Sequence, residues 1–233
     1  MKSKLISMLV AGGLLLLDNI NAADITIYDG SSVGTGWYSS RENNETEPNT
    51  ITSQQWDMEA FYLSGMNLTM QGGYNFTTPA GYDGWRPGDL FIDVGGFFKF
   101  VAVIGNAPLT YDVYLFGNTY SVYYAQNALS NPWRYEDGGI LVSTWNHISY
   151  SSFTDSEGMH YTANLNISWV SAFLLPNPTL VTFHNTMECG NDNLLGATTF
   201  YIPPVPEGNS IIPVMFSFLG IVGVIIHKRI MNY

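Results

Sequence analysis

Apolar and polar residues alternate along 159–169. Tyr161, Ala163, Leu165, Ile167 and Trp169 fall on one side; His160, Thr162, Asn164, Asn166 and Ser168 fall on the other. Successive side chains of an extended chain point to opposite faces, so the pattern predicts a strand with one dry and one wet face. Elsewhere, short β-branched and aromatic runs recur between Gly, Asn and Pro breaks, with no sustained helical period. They predict further strands over 25–28, 56–63, 67–70, 89–94, 98–104, 111–116, 119–124, 139–144 and 180–186. Gly117-Asn118 is suited to a hairpin turn between 111–116 and 119–124, and Ser64-Gly65 to one between 56–63 and 66–70. Residues 30–52 are polar and read as a long loop. This many short strands predicts an all-β fold, a jelly-roll-like β-sandwich, whose strand order the sequence leaves open.

Both ends carry a different pattern. Lys2 and Lys4 precede an apolar run over 5–17, and Asn21-Ala22-Ala23 offers small residues for cleavage. Residues 1–23 therefore read as a secretory signal peptide, leaving an exported domain over 24–203. Near the other end, 204–210 forms a linker and 211–226 an apolar run, which as a helix would cover about 24 Å at 1.5 Å per residue. That suffices for a short membrane span with polar residues at its interfaces. Lys228 and Arg229 follow within the tail 227–233 and place it in the cytoplasm, so the main domain lies outside.

Composition narrows the function. The chain has 8 Lys+Arg against 19 Asp+Glu, a net charge of −11. Between the terminal segments the strong bases are Arg41, Arg86, Lys99 and Arg134, so the exported domain is more acidic still. Nucleic acid is excluded as a partner, because neutralising phosphates requires clustered cations. Divalent cations are the natural counter-species. Cys189 is the sole cysteine, so no intramolecular disulfide forms. A domain of about 180 residues buries about 70% of its unfolded surface and needs no such staple.

Val205-Pro206-Glu207, the apolar run and the terminal basic pair together resemble the PEP-CTERM sorting signal of bacterial exported proteins. Gly208 stands where that pattern has proline. The resemblance implies processing by an exosortase-like membrane enzyme, release to the cell surface or beyond, and a setting in exopolysaccharide or biofilm matrix. A second resemblance spans most of the domain. Glu45-Thr46-Glu47-Pro48, Gln55-Trp56-Asp57, the run from Gly88 to Asp93 and Glu188-Cys189-Gly190-Asn191-Asp192 look like the exported domain of some such proteins, and bring no catalytic role.

Candidate chemistry is of three kinds. Calcium takes six to eight oxygens from acidic loops. Asp57 and Glu59 share a strand face about 7 Å apart, whereas Asp89 and Asp93 would be about 13 Å apart on a straight strand. These four are the candidate ligands of a structural calcium, beside a Glu42, Glu45 and Glu47 loop cluster and the oxygen-rich Asn191-Asp192-Asn193. Trp85 and Trp133 are candidate platforms for stacking on sugars. Cys189, His184 and Asp192 offer the parts of a nucleophilic site, but there is no Gly-x-Ser-x-Gly elbow and no His-Glu-x-x-His pair. The leading expectation is a non-enzymatic structural or adhesive protein of the cell envelope. A carbohydrate-binding module and a secreted hydrolase are the alternatives.

Overall fold

The computed structural model describes residues 22–28, 42–76, 83–104 and 109–202. The expected signal peptide, sorting motif, membrane helix and basic tail lie outside these residues, apart from Ala22 and Ala23 at the edge of the first. Among the described residues no helix is long and apolar enough to cross a membrane.

The fold is all-β and antiparallel. Its strands are β1 Ala23–Asp24, β2 Met58–Ser64, β3 Asn67–Gly72, β4 Leu90–Val94, β5 Phe98–Val103, β6 Thr110–Tyr123, β7 Arg134–Thr154, β8 Met159–Asn166, β9 Thr179–Thr186 and β10 Asn193–Phe200. They form one curled sheet in the order β1-β2-β3-β8-β7-β6-β5-β4-β9-β10. β7 makes the curl possible. Its first part pairs with β6 and its last part, from Ile148, pairs with β8, so it belongs to both faces. The opposite seam closes through residues 25–27. Ile25 N–H donates to the Phe61 carbonyl, Ile27 N–H to Leu195, and Ala197 N–H to Ile25. Closure leaves few open edges to pair with other chains. The run β4 to β8 is a continuous meander, an order the sequence had left open.

Strict alternation fills the interior. Leu68 and Met70 of β3, Ala163 and Leu165 of β8, and Val181 and Phe183 of β9 point inward and are buried. Phe61 meets Phe183 at 5.9 Å, and Phe100 packs against Trp169 and Phe173 at 5.2 and 4.6 Å. The last two rings belong to a 3-10 helix, Ser168–Phe173, which ends β8 earlier than the alternation predicts. Each such side chain contributes about 1.5–3 kcal/mol on burial, which makes this core the main source of stability.

The two expected hairpins fare differently. β2 and β3 do form one, with Gly65 at φ +59 and Ser64 opposite Asn67. Gly117-Asn118 is no turn. Both halves of β6 pair with β7, and the register jumps between Leu115 and Tyr120. Gly138 and Gly139, at φ +90 and +73, let β7 follow the jump. The Phe116 and Tyr120 rings stack at 4.1 Å across it.

Candidate metal centre

Three segments bring carboxylates together. The first is a turn in which Glu45 N–H donates to the Glu42 carbonyl at 3.0 Å, with Asn44 at φ +64. Asparagine tolerates this left-handed backbone better than most residues, and the turn places both glutamates at its ends. The second is Asp57, just before β2. The third is Asp192, just before β10. Carboxylate oxygens of Glu42, Glu45 and Asp192 lie within 4.8 Å of one another, and all three residues are buried. Asp57 lies beside the three, close enough for its charge to act on Asp192.

Backbone N–H groups fix the geometry. Asp57 accepts from Asn44 at 2.9 Å and from Glu45 at 3.4 Å, which ties the turn to the start of β2. Asp192 accepts from Met58 at 2.6 Å and from Asn193 at 2.8 Å. Asn191 clamps the same loop, accepting from Ile51 N–H at 2.9 Å and donating to the Ile51 carbonyl at 2.7 Å. Asn193 in turn donates to Glu47. The polar loop read from the sequence is thus zipped onto the Asn191-Asp192-Asn193 turn.

The electrostatics favour neutralisation. Burial pushes Asp57 up to about 8; the Asn44 N–H opposes this, and the Glu59 and Glu45 charges reinforce it. Asp192 is held well above the ordinary carboxylate range, first by burial and then by the charges of Asp57, Glu45 and Glu42. Among the described residues, the charges acting on these two aspartates are those of other carboxylates.

The donor set fits a hard cation. Oxygens bound to one calcium at 2.3–2.6 Å are at most about 5 Å apart, which is the spread seen here. The three carboxylates supply up to six oxygens, and each bonded oxygen keeps a second lone pair. Thr46, between two of the acids in sequence, is wholly buried, and its Oγ1 has no hydrogen-bond partner among the described residues. Buried hydroxyls in folded proteins rarely go unsatisfied.

The sequence-derived calcium ligands separate. Asp57 lies beside the cluster and anchors its turn through the Asn44 and Glu45 N–H groups. Glu59 points elsewhere: it accepts from Gln54 at 2.6 Å and Gln71 at 2.8 Å, and pairs with His160 Nδ1 at 2.7 Å. The other nitrogen of His160 meets Asp155 at 2.9 Å. Burial opposes charge on this ring, but the Asp155 hydrogen bond and the Glu59 charge outweigh it and hold His160 above its ordinary value. Its face of β8, expected to be wet, is therefore covered by polar partners. Asp89 and Asp93 take no part in the cluster. Asp89 is buried, accepts the Tyr135 N–H at 2.9 Å and faces Arg134 at 3.8 Å. Asp93 accepts the Gly96 N–H at 2.7 Å and closes the β4–β5 turn. No spacing rule links residues 42, 45, 57 and 192; the sequence offered the Glu42, Glu45 and Glu47 cluster and the Asn191-Asp192-Asn193 run separately, with nothing to join them.

Two other groups of sequence candidates fall as follows. Trp133 is buried, with the Arg86 and Arg134 guanidiniums 4.9 and 5.6 Å from its ring, so it has no face to offer a sugar. Trp85 is half-buried against the core. Burial pushes the Cys189 thiol up to about 11 and His184 down to about 4. A nucleophilic cysteine needs the opposite shift.

No protein-family model, curated protein or solved structure matches the chain.

Proposed function

We propose that this is an exported, non-enzymatic protein of the cell envelope or extracellular matrix, whose acidic β-domain is locked by calcium. The observation that carries the reading is the buried cluster of Glu42, Glu45 and Asp192, with Asp57 beside it, drawn from three distant segments. Calcium bound there would join the 42–51 loop to the starts of β2 and β10, supplying the cross-link that a single-cysteine chain lacks. Extracellular modules bind calcium with Kd values of about 10⁻⁴–10⁻³ M, so such a site belongs with export. The terminal segments support the same setting. The signal peptide starts secretion, and 211–226 with Lys228 and Arg229 holds the chain in the inner membrane. An exosortase-like enzyme acts near Val205-Pro206-Glu207 and frees the domain to the surface or its polysaccharide surroundings. The raised Cys189 and lowered His184 favour a structural or adhesive role over hydrolysis.

Cell fractionation tests the trafficking half. Full-length chain is expected in the envelope or medium with a C-terminus shortened near residue 207. Truncation after residue 203 removes the membrane-held precursor. Full-length mass in the cytosol, or identical distribution of the truncated chain, contradicts it.

A further inference from the structure

Trp145 is the most exposed large apolar side chain of the described residues, at 81%. It is also held in an unusual backbone. Tyr111 pairs with Asn146 and Val113 with Ser143, so β7 carries one extra residue against Asp112. This bulge puts Trp145 at φ +57, and Asp112 accepts its N–H at 3.4 Å. Glycine occupies that left-handed region without strain, and a bulky aromatic residue there is an outlier. Bulges re-aim side chains and cluster at functional sites. Here the strained position presents an indole to solvent, where packing gains nothing from it.

Beside the ring lies a cleft of about 620 Å³, where β7 crosses from β6 to β8. Asn67, Asn146, Asn164 and Asn166 line it, and His147 is its sole titratable lining residue. Several of these amides are fixed in place. Asn164 accepts from Thr69 at 2.7 Å, Asn146 accepts from Ser143 at 2.9 Å, and Asn166 accepts from the Ser168 N–H at 3.1 Å. Asn67 and Asn166 are a cross-strand pair, both exposed. The Asn67 amide and the Asn166 N–H₂ bond to no described protein group and are available to a ligand.

We infer that Trp145 and this asparagine cleft form a binding site for a neutral saccharide. The indole offers a rigid apolar face for a pyranose ring, and the amides offer paired donors and acceptors for its hydroxyls. The lining carries neither carboxylate nor ammonium, and a net charge of −11 repels anionic polymers. The site names a ligand class for the exported domain, yet uses none of the calcium-cluster residues, so either assignment can fail alone.

Native affinity electrophoresis tests it, with gels containing a mixed-linkage β-glucan, a galactomannan, a dextran or alginate, each with and without calcium. At least one neutral polymer is expected to retard the full domain. Trp145→Gly weakens that retardation at least tenfold while its thermal midpoint stays equal or rises, because glycine relieves the backbone and little burial is lost. Asn166→Ala weakens it as well, and serves if the glycine variant does not fold. No retardation by any neutral polymer, retardation by alginate alone, or retardation that survives both substitutions overturns the assignment. Loss of binding only when calcium is removed, with calcium-loaded protein binding normally, supports the site and reports on the cluster separately.

Discussion

A carboxylate buried beside other carboxylates loses its water and gains like-charge repulsion, and both favour its protonated form. Asp57 meets both conditions. Its folded pKa of about 8 lies above the unfolded value of about 3.9. The sign follows: ionising Asp57 costs free energy only in the folded state, so calcium-free protein loses stability as pH rises above about 4 and through about 8. Asp192 shifts in the same direction and adds to the loss. Asp57→Asn keeps one oxygen to accept the Asn44 N–H but cannot ionise. Without calcium, this variant should lose less stability between pH 5 and pH 8 than the parent, measured by urea denaturation in a chelator. An unchanged slope would show that Asp57 does not set it. Asp57 stood out in the sequence as a candidate because it would share a strand face with Glu59. Glu42, Glu45 and Asp192 also stood out as acids, but their meeting with Asp57 did not, because the closed sheet alone brings the segments together.

The segment before β2 is held by close backbone packing. Gly72 and Gly73 pass directly over residues 54–57. A Cβ on Gly73 would lie 1.7 Å from the Gln54 carbonyl oxygen, and one on Gly72 would lie 2.6 Å from that of Asp57. Gly73→Ala must push the 3-10 turn Gln54–Trp56 outward and carry Asp57 with it. Overpacking of this kind costs about 1–3 kcal/mol, and here it acts on rigid backbone. The variant should lower the thermal midpoint and weaken calcium binding in calorimetry together. Gly117→Ala, with nothing near its Cβ, should change neither. Strands with strong alternation, such as β3 and β8, were legible. Much of β7 was not, because most of its side chains are exposed or half-exposed and carry no period-two signal. The false turn at Gly117-Asn118 has the same origin. Turn chemistry read locally missed that β7 was the better partner for both halves of β6.

At the scale of the molecule, the closed sheet gathers acidic loops that have no local reason to meet. The strand order decides this: β2 and β10 are neighbours only because residues 25–27 bridge them. Sequence could establish an all-β acidic domain, but the seam depends on register, which a lone chain leaves open. The loops meet where water is excluded, so the buried charge favours protons below about pH 8, and on the proposed reading a cation takes their place above it. The most direct test is the thermal midpoint of the intact domain with chelator and with saturating calcium, at pH 8 and at pH 5. Calcium at about 100 times its Kd stabilises by about 2.7 kcal/mol, which for a domain of this size raises the midpoint by about 5–10 °C. We expect that rise at pH 8, a much smaller one at pH 5 where protons occupy the carboxylates, and little effect of magnesium. No calcium response at pH 8, or an equal response at both pH values, would contradict the account.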